Sequence, residues 1–265
     1  MKIVKNVVEI GNGAAVYVPR EYKGKEVLIF LPESIDEIKK RVLTKLTEFM
    51  PNVLGVYLYG SYAREEHSKE SDSDVLIIVK EKDEKIAGLF DDIDLRVLTL
   101  ENIKNSIKDF PVPIRIVLEE AVVFLNPILL EDLKKERYNL KGLKWHFEDI
   151  KRIIKIIEKF IELDDKDIDA SHVYSLIMRA RILYMIECLL KEVIFGNKGV
   201  KNRLLQYDLD EKLFDYYYQI YQKVKNNEEI KENISRDNIE RLMGIIKIYL
   251  KEVENETEKK AKKRS

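Results

Sequence analysis

The run Val53-Leu54-Gly55-Val56-Tyr57-Leu58-Tyr59 stops at Gly60-Ser61, and ten residues later Asp72-Ser73-Asp74 opens a second apolar run, Val75-Leu76-Ile77-Ile78-Val79. Both runs are rich in β-branched and aromatic residues, the pattern of strands buried inside a sheet. The first predicts a strand that ends in a sharp turn, with Gly60 letting the backbone approach a ligand closely. A helix begun at Ser61-Tyr62-Ala63-Arg64-Glu65-Glu66 would turn its unpaired amides and positive dipole end toward whatever lies over Gly60 and Ser61. A triphosphate suits that position. Arg64, one turn along, could add charge to the cradle, with an ordinary exposed arginine as the alternative.

Side chains alternate faces along a strand, so Asp72 and Asp74 project one way while Val75, Ile77 and Val79 enter the opposite layer. Two carboxylates held that close repel each other, and a divalent cation between them relieves the repulsion. Mg²⁺ favours such a site, one or two carboxylates completed by water and substrate phosphates. A further strand is predicted over Asp92-Ile93-Asp94-Leu95-Arg96-Val97-Leu98-Thr99, where Asp92 and Asp94 again share a face. Asp94 is the preferred third acid because it lies inside the apolar alternation, with Asp92 as its substitute. A Gly-Ser turn or an Asp-Ser-Asp loop alone is more often structural. Their combination at this spacing, each joined to a strand, is what points to chemistry.

Those residues carry a resemblance. Gly60-Ser61, ten intervening residues, Asp72-x-Asp74 and a later strand acid are similar to the nucleotidyltransferase superfamily that includes DNA polymerase β. Within it the spacing most resembles the minimal nucleotidyltransferases, some of which are antitoxins that adenylylate a partner HEPN toxin. The resemblance covers roughly residues 34 to 125. It implies an α+β fold, a mixed sheet with flanking helices, holding two Mg²⁺ ions on Asp72, Asp74 and Asp94. It implies ATP as donor, a hydroxyl of a protein or small molecule as acceptor, and Gly60, Ser61 and Arg64 around the phosphates. The sequence itself contains no base-reading motif.

With 265 residues, 45% of them hydrophobic, the chain can build one large or two ordinary domains. Charged residues make up 36% at a net charge of −1, so surfaces are mixed in sign and no global basic field exists to hold nucleic acid non-specifically. No apolar run reaches membrane-span length and the N-terminus lacks a signal-peptide pattern, so a cytoplasmic protein with no membrane contact is expected. Cys188 is the only cysteine and sits in an apolar run, which predicts a buried inert thiol. His67, His146 and His172 lack ligand spacing, so no zinc site is expected.

Four segments can be distinguished. Residues 1 to 31 read as short strands around Gly11-Asn12-Gly13, closing with Val27 to Leu31. They resemble AbrB/MazE-type swapped-hairpin modules through Gly11-Asn12, Val18-Pro19 and the Glu26 to Leu31 strand. That likeness implies a homodimer and DNA contact, although five basic against three acidic residues make a weak phosphate footprint. Residues 34 to 140 form the nucleotidyltransferase domain, opening on the capping box Ser34 to Glu37 and the stripe Ile38, Val42, Leu46, Phe49. Sheet is expected at Ile114 to Leu118 and Ala121 to Leu125, and a helix from Pro127 to Tyr138.

Residues 141 to 253 carry helical periodicity, with the segment Val173 to Ile194 apolar on most faces and so central to a bundle. This half resembles HEPN-like bundles, but no histidine follows Arg179 and Arg181 at the HEPN spacing, and ribonuclease activity is not carried over. Lys191, Lys198, Lys201 and Arg203 are candidate anion contacts, with plain surface cations as the alternative. Tyr217 and Tyr221 fall on the buried stripe, while Tyr216 and Tyr218 are candidates for self-modification. Residues 254 to 265 read as a charged, disordered tail. The leading expectation is a Mg²⁺-dependent adenylyltransferase; the alternative is a noncatalytic DNA-binding regulator that uses the pocket as a nucleotide sensor.

Overall fold

The computed structural model describes all residues except 1–4, 6, 28, 30–32, 68–71, 164–168, 208, 229, 231–233 and 265. The chain divides into two compact units, Met1–Ser34 and Ile35–Ser265.

In the first unit, β1 (Val8–Ile10) and β2 (Gly13–Ala15) pair antiparallel around a turn in which Gly11 takes φ 55°. The expected closing strand over Val27 to Leu31 lies largely outside the described residues. None of the unit's described residues is buried, and Val8, Ile10, Tyr17 and Ile29 are exposed. A two-stranded ribbon of this size has no core of its own.

The second unit is mixed α+β. It opens with α1 (Ile35–Lys45), then β3 (Val53–Tyr59), the single turn α2 (Gly60–Ala63), β4 (Ser73–Val79), the short α3 (Glu84–Ala87) and β5 (Ile93–Thr99). Next come α4 (Leu100–Asp109), α5 (Pro111–Glu120), β6 (Val122–Leu125) and α6 (Pro127–Lys135). The sheet order is β5-β4-β3-β6, with β4 and β5 parallel and the other pairs antiparallel. Strand alternation sorts the core into two layers. Val56, Leu58, Val75 and Ile77 meet Ile38 and Val42 of α1 on one face. Tyr57, Tyr59, Leu76 and Ile78 meet Ile103 of α4, Leu118 of α5 and Leu130 of α6 on the other.

Ile114 to Leu118, expected as sheet, is helical. Pro111 stands in the first turn, where its missing N–H and fixed φ favour a helix start. The run misleads because both flanks are buried: Ile114, Val117 and Leu118 pack on the sheet layer, Val112 and Ile116 on the helical half. A helix apolar on two sides has no polar stripe to reveal its period.

The helical half consists of α7 (Lys144–Leu163), α8 (Ala170–Lys191), α9 (Asn197–Leu205), α10 (Glu211–Lys225) and α11 (Arg236–Arg264). α8 packs against α5, α7, α9, α10 and α11 and is the bundle's axis. The expected charged tail is instead the end of α11, helical through Arg264. Its apolar face continues past the point where composition turns charged: Val253 and Thr257 are buried, and Lys260 hydrogen-bonds the Leu190 carbonyl at the end of α8. Among the described residues no helix is long and apolar enough to cross a membrane.

Candidate active site

The elbow after β3 depends on Gly60. Its φ is 78°, a conformation that side-chain-bearing residues rarely adopt. A Cβ there would also lie 2.0 Å from Asp74 Oδ2, so the missing side chain is the space the carboxylate fills. Tyr59 and Asp74 are register partners across the β3–β4 ladder, which brings the elbow and the acid together. Asp74 is in turn paired in register with Asp94 on the parallel neighbour β5. Asp72, just before β4, is exposed, as is Asp94.

Asp74 therefore sits part-buried between groups of both signs. Burial pushes its pKa up to about 6, the Asp94 carboxylate adds to the rise, and Lys225 and Arg64 hold it back. Lys225 is the last residue of α10, so a cation of the helical half acts electrostatically on this acid. The Tyr59 phenol is raised to about 12, chiefly by burial, with Arg96 opposing and Asp74 and Asp94 adding to the shift.

Asp92, the substitute third acid, is held elsewhere. Both its oxygens accept from Arg41 Nη1 of α1, at 2.9 and 2.7 Å. Of the two strand acids it is Asp94 that neighbours Asp74.

Glu120 was missed in the sequence, since it falls between two segments read as strands. At the C-terminus of α5 its Oε1 accepts from the Gly60 amide at 2.7 Å, and its Oε2 pairs with Arg64 Nη1 at 2.6 Å. Its side chain is only 4% exposed. Burial raises its pKa against the pull of Arg64. Arg64 also donates from Nε to Glu66 Oε2 at 2.9 Å and lies over the Phe195 ring. The guanidinium expected in the phosphate cradle is thus already clasped by two carboxylates, and it stiffens the elbow from behind.

Glu66 extends the clasp into the helical half. Its carboxylate accepts from the backbone N and side-chain Nδ2 of Asn197 at 2.9 and 2.8 Å, capping the start of α9. Arg181 of α8 bonds the same Asn197 side chain and lies over Phe195 and Tyr221. None of these tertiary partners has a sequence signature, because each depends on which helix end faces the sheet.

Of the other expected anion contacts, Lys191, Lys201 and Arg203 are consumed within the bundle. Lys191, Arg203 and Tyr249 converge on buried Glu187; Arg203 also reaches Glu252 at 2.7 Å. Lys201 pairs with Asp215 at 2.7 Å and Glu211 at 2.9 Å. Tyr217 is fully buried, its hydroxyl donating to the Asn238 carbonyl at 2.6 Å, and Tyr221 is buried as its spacing predicts. Cys188 is buried too, with its thiol pushed up to about 11 mainly by desolvation.

Among the described residues no three acidic, histidine or cysteine side chains converge on one point as a ready-made metal cage. The donor set nevertheless suits Mg²⁺. Asp74 and Asp94 repel one another, and this ion asks a protein for only one or two carboxylates.

A strand, a glycine elbow and a carboxylate pair on parallel neighbours define a class. Residues 35–173, more than half of the chain, match the family model for a nucleotidyltransferase domain, and the chain belongs to that family. A shorter stretch of 49 residues is 49% identical to a Methanocaldococcus jannaschii protein whose name gives protein adenylyltransferase, MJ0141, as a provisional activity. That stretch is 18% of this chain and 46% of the relative, so the match spans about half the relative's length. Among solved structures, spectinomycin adenyltransferase AAD(9) from Enterococcus faecialis, crystallised with ATP and spectinomycin, is similar at TM-score 0.46 and 13% identity, covering 83% of this chain and all of that one. A nucleotidyltransferase-like protein from Exiguobacterium sibiricum gives TM-score 0.35 and 13% identity, over 81% and 75%.

Proposed function

We propose that the chain transfers a nucleoside monophosphate, AMP from ATP, onto a hydroxyl group, using Asp74 and Asp94 with Asp72 beside them. The observation that carries this reading is the placement of Asp74 against the Cβ-less face of Gly60 while paired in register with Asp94. Mg²⁺ bound by these carboxylates would supply charge neutralisation on the phosphates and lower the pKa of an attacking hydroxyl.

The chain's own groups do the positioning. Ser61 and the amides beyond Gly60 face the β- and γ-phosphates, because the Gly60 amide itself is committed to Glu120. Lys225 adds positive charge on the side of the helical half. Asp94, exposed beside Asp74, receives the acceptor proton as the acceptor oxygen bonds to the α-phosphorus and pyrophosphate departs. Asp74 holds its place by its contact with Gly60. Arg64 supports the elbow through Glu120 rather than meeting the phosphates.

A protein hydroxyl is the acceptor class favoured by the short M. jannaschii match, with a HEPN-type toxin as one such acceptor; a small-molecule hydroxyl is the competing outcome. The first 34 residues, with no buried residue described, fit pairing with a second copy, whereas their charge gives DNA contact little support. Incubation with Mg²⁺ and α-labelled nucleoside triphosphates, with the chain alone, with candidate proteins and with aminocyclitols, tests the reading. Label should move to an acceptor with release of pyrophosphate and stop in Asp74→Ala. Transfer undiminished in that variant would refute the assignment.

A further inference from the structure

The outward side of α7 has an unusual composition. The helix buries Phe147, Ile150, Ile154, Ile157 and Ile161 against the bundle. At 100° per residue those positions occupy one arc of about 80°. Trp145, Ile156, Phe160 and Leu163 fall within about 60° of one another, about 130° round from that arc on the shoulder beside α8, where Phe160 meets the His172 ring. They are 61%, 40%, 56% and 85% exposed. A surface helix should be polar there. The stripe is about 27 Å long at 1.5 Å per residue.

Cations flank it along one side. Arg152, Lys155 and Lys159 line a shallow trough of about 330 Å³ together with Ile156, Lys151 and the one acid Glu148. Among the described residues Lys155 and Lys159 pair with no carboxylate, while Arg152 reaches Asp149 at 2.6 Å and remains 68% exposed. Trp and Arg beside an apolar strip are the residue types that concentrate binding energy at protein interfaces.

We propose that this face of α7 docks an amphipathic helix of a partner protein that sets acidic residues beside an apolar stripe. Lys155 and Lys159, with no carboxylate of their own among the described residues, call for acidic side chains on whatever covers the stripe. The complement is an acid-flanked partner. The inference does not depend on the nucleotidyl-transfer reading.

Trp145, the chain's only tryptophan, reports the docking directly. The full chain is titrated with a synthetic helical peptide carrying Leu and Ile on one face and Glu on its flanks, and with the same peptide bearing Lys in place of Glu. The acidic peptide should blue-shift Trp145 emission saturably, the Lys peptide should not, and Phe160→Ser with Leu163→Ser should weaken binding at least about tenfold while the helical circular dichroism signal is kept. Equal response to both peptides, or no response to either, overturns the proposal. A shift caused by phosphatidylserine vesicles without one from the acidic peptide would make the face a membrane surface site. A shift with rising protein concentration alone would make it a self-association site, and either result also overturns it.

Discussion

At the residue scale the strongest constraint is the contact between Gly60 and Asp74. Any side chain at position 60 must displace the carboxylate and also endure a φ of 78°. Gly60→Ala should therefore remove activity and cost about 1–3 kcal/mol of stability, measured by urea unfolding. A loss of neither would contradict the geometry. Asp74 gives a signed pH prediction. Its folded pKa is raised to about 6, above the ordinary value of 3.8, so the ionised form is disfavoured in the folded chain. The stability this group contributes is present below about pH 4 and lost as pH rises through about 6. Asp74→Asn should thus raise the melting temperature at pH 7.5 in metal-free buffer and change it little at pH 4. Equal shifts at both pH values would argue against a strained carboxylate. Glu120→Ala strips the buried Arg64 of its 2.6 Å partner and should cost about 3 kcal/mol in the same unfolding assay. A cost under about 1 kcal/mol would show the pair to be dispensable.

At the scale of elements, α5 and α10 do what no local pattern announces. α5 lies between the sheet and the bundle, and its last residue fastens the elbow; α10 ends on Lys225, whose charge favours the ionised form of Asp74. Lys225→Ala should weaken triphosphate binding several-fold and raise Asp74's pKa further, and unchanged binding would remove α10 from the site. This explains what the sequence made legible. Val53 to Tyr59, Ser73 to Val79 and Ile93 to Thr99 were readable as strands because bulky β-branched runs ended at turn residues. That Gly60, Asp74 and Asp94 lie side by side was readable because Gly60 stops the first run and period-two alternation puts the acids on set faces. Ile114 to Leu118 was misread because burial on both sides erased its helical period. Residues 254 to 264 were misread because composition outweighed a buried stripe at Val253 and Thr257. Glu120 and Lys225 were invisible because their meaning comes from helix packing alone.

For the whole molecule, residues 35 to 265 form one compact unit even though the sequence changes period near residue 143. Val112 and Ile116 of α5 belong to the bundle's core while their neighbours belong to the sheet's, so the two halves should unfold together. Ile116→Ala should lower the melting temperature and preserve a single transition by calorimetry; separation into two transitions would show the halves to be independent. The account as a whole rests on Asp74 and Asp94 gathering Mg²⁺ and nucleotide beside the Gly60 elbow. Calorimetric titration of ATP into the chain, with and without Mg²⁺, tests this most directly. Binding strengthened by Mg²⁺ in the native chain and abolished in the Asp74→Ala, Asp94→Ala double variant is the predicted result; equal binding by that folded variant, or none by the native chain, contradicts it.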